Sequence, residues 1–472
     1  MMFLFKTPGP LRKGVVSLAV VMGLVAPMAH SETLADALAN AYRTSGLLDQ
    51  NRALLRAADE DVAAAVARLK PILDYTAGIT QEYRELDNAL GSSSDDATVV
   101  QAVLEASLLV YDGGSSKLNV EALKETVLAT RQDLISIEQQ VLLRAVTAFL
   151  NVRSLREFVS LRLNNTRLLS QELRAAEDRF EVGEVTRTDV AQAESRLADA
   201  QSGLATARGD LQQAIAEYIA VVGNTPGDLV QPPALPQLEP NIDVARTRAL
   251  QVHPDLESAR HQVSAAELNI LRAKATIQPT ISAIGSLSLQ DDLSASNDST
   301  VGSIGVLLRG PIYQGGAISS DVRRAIAIRD AQRGNLIVVQ RRISQDVSNS
   351  YAALSARRAS LSSSEERIRA ARIAFDGVRE EATLGARTTL DVLDAEQEVL
   401  DAETQRISDE ANLYVAAYAV LQSTGRLTAK DLNLGVQRYD PVAYYNLVKD
   451  APTARSEQGQ QLDRILEALQ RE

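Results

Sequence analysis

Residues able to do chemistry are scarce in this chain of 472 amino acids, and their kinds narrow its function. Cysteine is absent, which removes thiol nucleophiles, Cys-ligated zinc, disulfides and a lipidated anchor. After His30, histidine occurs only at His253 and His261. Pro254 follows the first and no carboxylate cluster frames both, so surface helix positions are expected rather than a metal site. Gly302 and Gly305 fall in a strand pattern without the following helix of a nucleotide loop. What remains are carboxylates, most of them solvated helix faces. Two sit at a repeated position, however: Asp189 follows Gly183, and Asp391 follows Gly385, at the same spacing. Asp394 lies at i+3 from Asp391 and shares its helical face. Carboxylates clustered in this way attract cations, whereas one at a helix start can equally serve as a cap. No pair of acids has a catalytic signature, so no reaction and no cofactor is expected.

The elements that carry these acids occur twice. Leu109-Val110-Tyr111-Asp112-Gly113-Gly114 recurs as Pro311-Ile312-Tyr313-Gln314-Gly315-Gly316. The same offset maps Gly183, Asp189, Val190, Ala193 and Glu194 onto Gly385, Asp391, Val392, Ala395 and Glu396. Only 14 prolines are present, and none lies between Pro71 and Pro226 or between Pro311 and Pro441. Because proline breaks helix interiors, such spans admit very long helices. Each half reads helix, strand, strand, long helix, helix. The first half is expected over 32–223, with strands about 72–87 and 97–110 and a long helix about 115–180. The second is expected over 242–434, with strands about 280–290 and 300–312 and a long helix about 317–383. Their opening helices are expected as single elements over 34–70 and 242–278, and a Pro-rich connector over 224–241 joins the halves. From Val190 to Val221 apolar residues alternate at three and four, the seam of a coiled coil in which alternate positions are Ala.

The strands alternate with period two. Val100, Ala102, Leu104, Ala106, Leu108 and Val110 stand against Gln101, Glu105 and Ser107, and Ile304, Val306 and Leu308 repeat the pattern. The polar stretches Asn88–Ala97 and Asp291–Thr300 read as hairpin loops. Such strands fit either two hairpins packed on the helices or the wall of a transmembrane β-barrel. Four strands cannot close a pore-sized barrel, and open edges cannot face lipid, so the membrane reading requires several chains to share one barrel.

At the N-terminus, Lys6, Arg12 and Lys13 precede an apolar run over Gly14–Ala26 and a small-x-small site at Ala29-His30-Ser31, the pattern of a signal peptide over 1–31. Net charge is −12 with no strongly basic domain, which disfavours nucleic acid as a partner. Residues 435–472 read as a C-terminal tail, a surface appendage with a short helix-like end.

In this combination the sequence resembles the TolC family of outer-membrane efflux and type I secretion channels. The resemblance spans about Leu34–Tyr445 and rests on the duplication, the paired Tyr-x-Gly-Gly junctions (Tyr111, Gly113, Gly114; Tyr313, Gly315, Gly316) and the two motifs around Gly183 and Gly385. Tyr439-Asp440-Pro441 resembles members that work with type I exporters. The resemblance implies a mainly α fold with a small β part: a homotrimer with a 12-stranded barrel in outer-membrane lipid and a helical coiled-coil barrel crossing the periplasm. It implies a passive duct recruited by a periplasmic adaptor and energised by an inner-membrane ABC exporter or proton-driven pump. The Gly183 and Gly385 turns become helix-hairpin tips that contact the adaptor, and Asp391 and Asp394 become carboxylate rings at the periplasmic entrance. Arg387, Thr188 and Asp189 correspond to latch residues between helices. Ala382 occupies the position where the family's second link has a Tyr, so that link is missing as the family makes it. The alternative class is a soluble periplasmic coiled-coil adaptor or scaffold.

Overall fold

The computed structural model describes residues 31–88, 91–232, 234–293 and 297–469. The expected signal peptide, apart from Ser31, lies outside them. The first half comprises β1 (Ser31–Glu32), α1 (Leu34–Thr44), α2 (Gly46–Ala67), β2 (Ile72–Asn88), β3 (Gly91–Tyr111), α3 (Ser115–Glu181) and α4 (Arg187–Val222). After β4 (Asp228–Leu229), the second half comprises α5 (Ile242–Val252), α6 (Pro254–Ala275), β5 (Thr280–Asp292), β6 (Asn297–Arg309), α7 (Ala317–Thr383) and α8 (Thr389–Ser423). α9 (Pro441–Val448) and α10 (Glu457–Leu469) follow.

Helices α3 and α7 are each 67 residues long, which at 1.5 Å per residue gives roughly 100 Å. The heptad seam of α4 is buried: Ala193, Ala200, Leu204, Ala207, Ala214, Tyr218 and Val221 all face inward. The largest core gathers where α1, α3, α4 and the end of α8 converge, around Phe149, Tyr218, Leu142 and Leu427. At about 1.5–3 kcal/mol for each large apolar side chain removed from water, this cluster anchors the molecule.

The opening element of each half is two helices, not the single helix expected. Ser45 adopts an extended backbone and its Oγ accepts the Leu48 N–H at 3.3 Å, so a new helix starts there. His253 does the same before Pro254, its Nδ1 accepting the Asp255 N–H at 3.2 Å. His253 is therefore a buried cap rather than a surface residue, and burial lowers its imidazole pKa. His261 instead meets Glu125 at 2.8 Å.

The four long strands form one antiparallel sheet in the order β2-β3-β5-β6. The last strand ends at Arg309, before the limit of 312 expected from its pattern, because Pro311 has no N–H for the ladder. At the other end pairing continues through both stretches expected as loops, to Asn88↔Gly91 and Asp292↔Asn297. Continued pairing satisfies backbone groups that a loop would leave to solvent. Register aligns the apolar rows of all four strands: Tyr75↔Leu104, Leu104↔Leu287 and Leu287↔Gly302, with Ile79↔Val100 and Ala283↔Val306 beside them. From the helix junctions out to Ile79, Val100 and Leu289 one face is therefore apolar and open, with Tyr75 85% and Ile304 97% exposed, and beyond it the same face turns polar at Gln81, Thr98, Asp291 and Asp298. The opposite face carries Asp74, Thr76, Gln101, Glu105, Ser286 and Ser303, where Ser286 and Ser303 share a hydrogen bond of 2.8 Å.

The tail is more than an appendage. Tyr444, Val448 and Leu462 are buried against Ala63 of α2, and the Tyr444 hydroxyl donates to Glu60 at 2.7 Å. Its apolar residues cover a helix face that the two repeats leave bare.

Candidate functional site

Two helix hairpins, α3–α4 and α7–α8, reverse direction at one end of the molecule through matching turns. Gly183 and Gly385 both have φ of +79°, a left-handed conformation that glycine adopts without penalty. The Glu184 N–H reaches the Arg179 carbonyl and the Ala386 N–H the Glu381 carbonyl, each at 2.9 Å, closing identical C-terminal caps.

The returning helices begin with matching capping boxes. Asp189 Oδ2 accepts both the N–H and the hydroxyl of Thr186 at 2.8 Å. Asp391 Oδ2 accepts the same pair from Thr388 at 2.9 Å. The backbone and hydroxyl bonds from Thr388 hold the Asp391 carboxyl below the usual carboxylate range, with Arg387 adding to the effect. Asp391 is thus both a helix cap and a permanently charged group at neutral pH. One turn on, Asp394 pairs with Arg196 of α4 and ties the second hairpin to the first.

Arg387 lies against Glu381 of its own hairpin, Nε to Oε2 at 2.8 Å, and not against Thr188 of the same chain. Between the tips opens a cavity of about 680 Å³ bordered by Arg179, Glu184, Asp189, Arg379, Ala382 and Arg387.

Sequence spacing missed a polar pair deeper in the seam. The Asn165 amide of α3 donates to Glu396 Oε1 of α8 at 2.8 Å, and both side chains are buried. The repeat marked Glu396 as the counterpart of Glu194, but nothing in the sequence identified its partner.

At the opposite end of the long helices, the junction glycines Gly113, Gly114, Gly315 and Gly316 all have positive φ. They turn the chain from strand into helix. Asp112 fixes the first junction by accepting the Gly114 and Ser116 N–H groups at 3.0 and 2.7 Å. Tyr111 ends β3 beside Ile281 of β5, while Tyr313 is 86% exposed beyond the end of β6. Among the described residues no helix is long and apolar enough to cross a membrane.

The model of the outer membrane efflux protein family matches this chain twice, over residues 37–224 and 245–426, one match to each half of the duplication. The chain is 35% identical to outer membrane efflux protein BepC of Brucella suis over 443 residues, covering 93% of this chain and 96% of BepC. It is 23% identical to outer membrane protein TolC of Escherichia coli, covering 88% and 87% of the two chains. Its fold matches the Campylobacter jejuni CmeC outer membrane channel with a TM-score of 0.74 at 15% identity, over 89% of this chain and 90% of that one. The alternative of a soluble adaptor finds no support in these likenesses. With its two matched halves, four-stranded sheet and paired helix hairpins, the chain belongs to the outer membrane efflux protein family, whose members are outer-membrane channels of the TolC type.

Proposed function

We propose that three copies of this outer-membrane channel protein assemble into one duct, the exit stage of a tripartite efflux or type I secretion system. The observation that carries this reading is the sheet. It has an apolar band crossing all four strands on one face, a polar face opposite and two open edges, β2 and β6. Unpaired edges in lipid are too costly to persist, so β6 of one copy pairs with β2 of the next and three copies close 12 strands. Helix α7 supports the same geometry. Ile328, Ile337, Val338 and Ile373 are each at least half exposed along it, apolar surface for neighbouring copies to cover.

In the closed ring the polar sheet face lines a water-filled lumen. The tips at Gly183 and Gly385 point into the periplasm and meet the helical hairpins of an adaptor, which links the duct to an inner-membrane ABC exporter or proton-driven pump. Asp391 and Asp394 form two rings of three carboxylates at the entrance, favouring cations and binding trivalent ions. Arg387 and Thr188 meet across neighbouring copies, and Asp189 stands beside them. The duct carries out no reaction. The halves 32–223 and 242–434, the connector 224–241 and the tail 435–472 are its structural units, released from the signal peptide 1–31 on export.

Extraction from outer membranes in detergent, followed by light scattering and planar-bilayer recording, tests this reading. A trimer that forms cation-preferring channels is expected. A monomer released by osmotic shock refutes it.

A further inference from the structure

The α3–α4 and α7–α8 hairpins are joined chiefly along the seam between α3 and α8. Near the tips its apolar content is thin: Leu169, Ala200 and Leu393 are buried, with Leu197 packed beside them. Asn165 and Glu396 are set into this seam, 8% and 6% exposed. One Glu396 oxygen takes the Asn165 amide, while the other, Oε2, is buried without a hydrogen-bond partner. A cavity of about 280 Å³, bordered by Asn165, Gln171, Glu396 and Leu400, lies alongside. A buried ionised carboxylate with a bare oxygen is costly, and protonating it lowers that cost by removing the charge. We propose that Asn165 and Glu396 form a proton-sensitive clasp between the two hairpins, shut while Glu396 carries a proton and loosened when it ionises, so that α7–α8 moves off α3 and the entrance widens.

The charged surroundings fit this role. Burial pushes the Glu396 carboxyl up to about 7; the Asn165 bond and Arg379 of α7 oppose the rise, and Glu172 of α3 adds to it. Arg196 on α4 is engaged by Asp394 and Arg372 of α7 by Glu403 of α8, while Arg167 of α3, which borders the same cavity, donates to Asn164 at 3.2 Å. The sign follows from linkage. The shut state holds a proton that a solvated Glu396, at its ordinary value near 4.5, has released. Falling pH therefore favours the shut state, and that advantage disappears as pH rises through about 7. The clasp works inside one chain, beside the Arg196–Asp394 pair that joins α4 to α8.

The inference rests on the channel reading above, and the test separates the two. Single-channel conductance of the purified protein is recorded in planar bilayers from about pH 5.5 to about pH 8.5. The wild type is expected to conduct severalfold more at the alkaline end, and Glu396→Gln to stay at the low level throughout. The chain has no cysteine, so Asn165→Cys with Glu396→Cys introduces a single reactive pair. Bridging that pair with a bifunctional thiol reagent is expected to hold conductance low at every pH. A Glu396→Gln channel with the wild-type pH profile, or a bridged pair with unchanged conductance, overturns the clasp while leaving the channel intact. A wild-type protein without conductance refutes the channel itself and the clasp with it.

Discussion

Substituting alanine for Gly113 separates two demands placed on the strand-to-helix junctions. The backbone there has φ of +67°, and at the equivalent Gly315 it is +57°. At either position an L-residue in left-handed geometry costs about 1–2 kcal/mol. The surroundings differ. A Cβ on Gly113 would stand 2.6 Å from the Gln278 Cβ and 3.0 Å from the Ala275 carbonyl oxygen, whereas on Gly315 it meets nothing within 4 Å. Forcing an extra carbon into a packed contact adds about 1–3 kcal/mol. Gly113→Ala is therefore expected to cost about 2–5 kcal/mol per chain, and Gly315→Ala only the backbone share of about 1–2 kcal/mol. Urea unfolding of the detergent-solubilised protein, followed by helical circular dichroism, measures both. Equal losses for the two variants refute the reasoning, because they would mean that the approach of the α6 end to the first junction contributes nothing.

Other expectations concern the entrance, the tail and the capping histidine. Asp391→Asn with Asp394→Asn is expected to abolish block of channel current by trivalent cations, since the amide oxygen preserves the Thr388 cap while the charge is lost; retained block removes these residues from the entrance. Arg387→Ala is expected to raise single-channel conductance, and an unchanged trace counts against a latch. Val448, in α9 of the tail, is fully buried against α2, so Val448→Ala should lower stability by about 2 kcal/mol, visible as a lower urea midpoint; a wild-type midpoint would show that the tail does not pack on α2. Burial keeps His253 neutral in the folded state, so protonation of the unfolded chain draws stability down as pH falls below the ordinary imidazole value of 6.5. His253→Asn replaces the Nδ1 acceptor with an amide oxygen that can still cap the helix, and should flatten that dependence, measured as the urea midpoint against pH.

Local grammar carried much of the architecture. Proline-free spans, a heptad in α4 and period-two strands are properties of consecutive residues, and they predicted the long helices and the hairpins directly. The breaks at Ser45 and His253 escaped because one residue leaving helical geometry does not disturb a long apolar period. Strand ends were misplaced because Ser, Asn and Asp favour turns locally, yet pairing with a neighbouring strand satisfies their backbone groups. At the tips, Gly183, Asp189, Gly385 and Asp391 were legible because each motif is contiguous. Glu396 was visible only as a repeated acid.

The sequence alone determined the duplication, the helix lengths, the two-faced strands and the charged turns, since each follows from spacing along the chain. Only the tertiary structure decided that β3 lies beside β5, which merges two hairpins into one sheet with a single apolar face. It also decided that Asn165 meets Glu396 across 231 residues of sequence, that Arg387 turns to Glu381, and that the tail covers α2. Such partnerships depend on where separate elements cross and in what register they stop. That is set by the packing of whole faces, and periodicity within one element does not encode it.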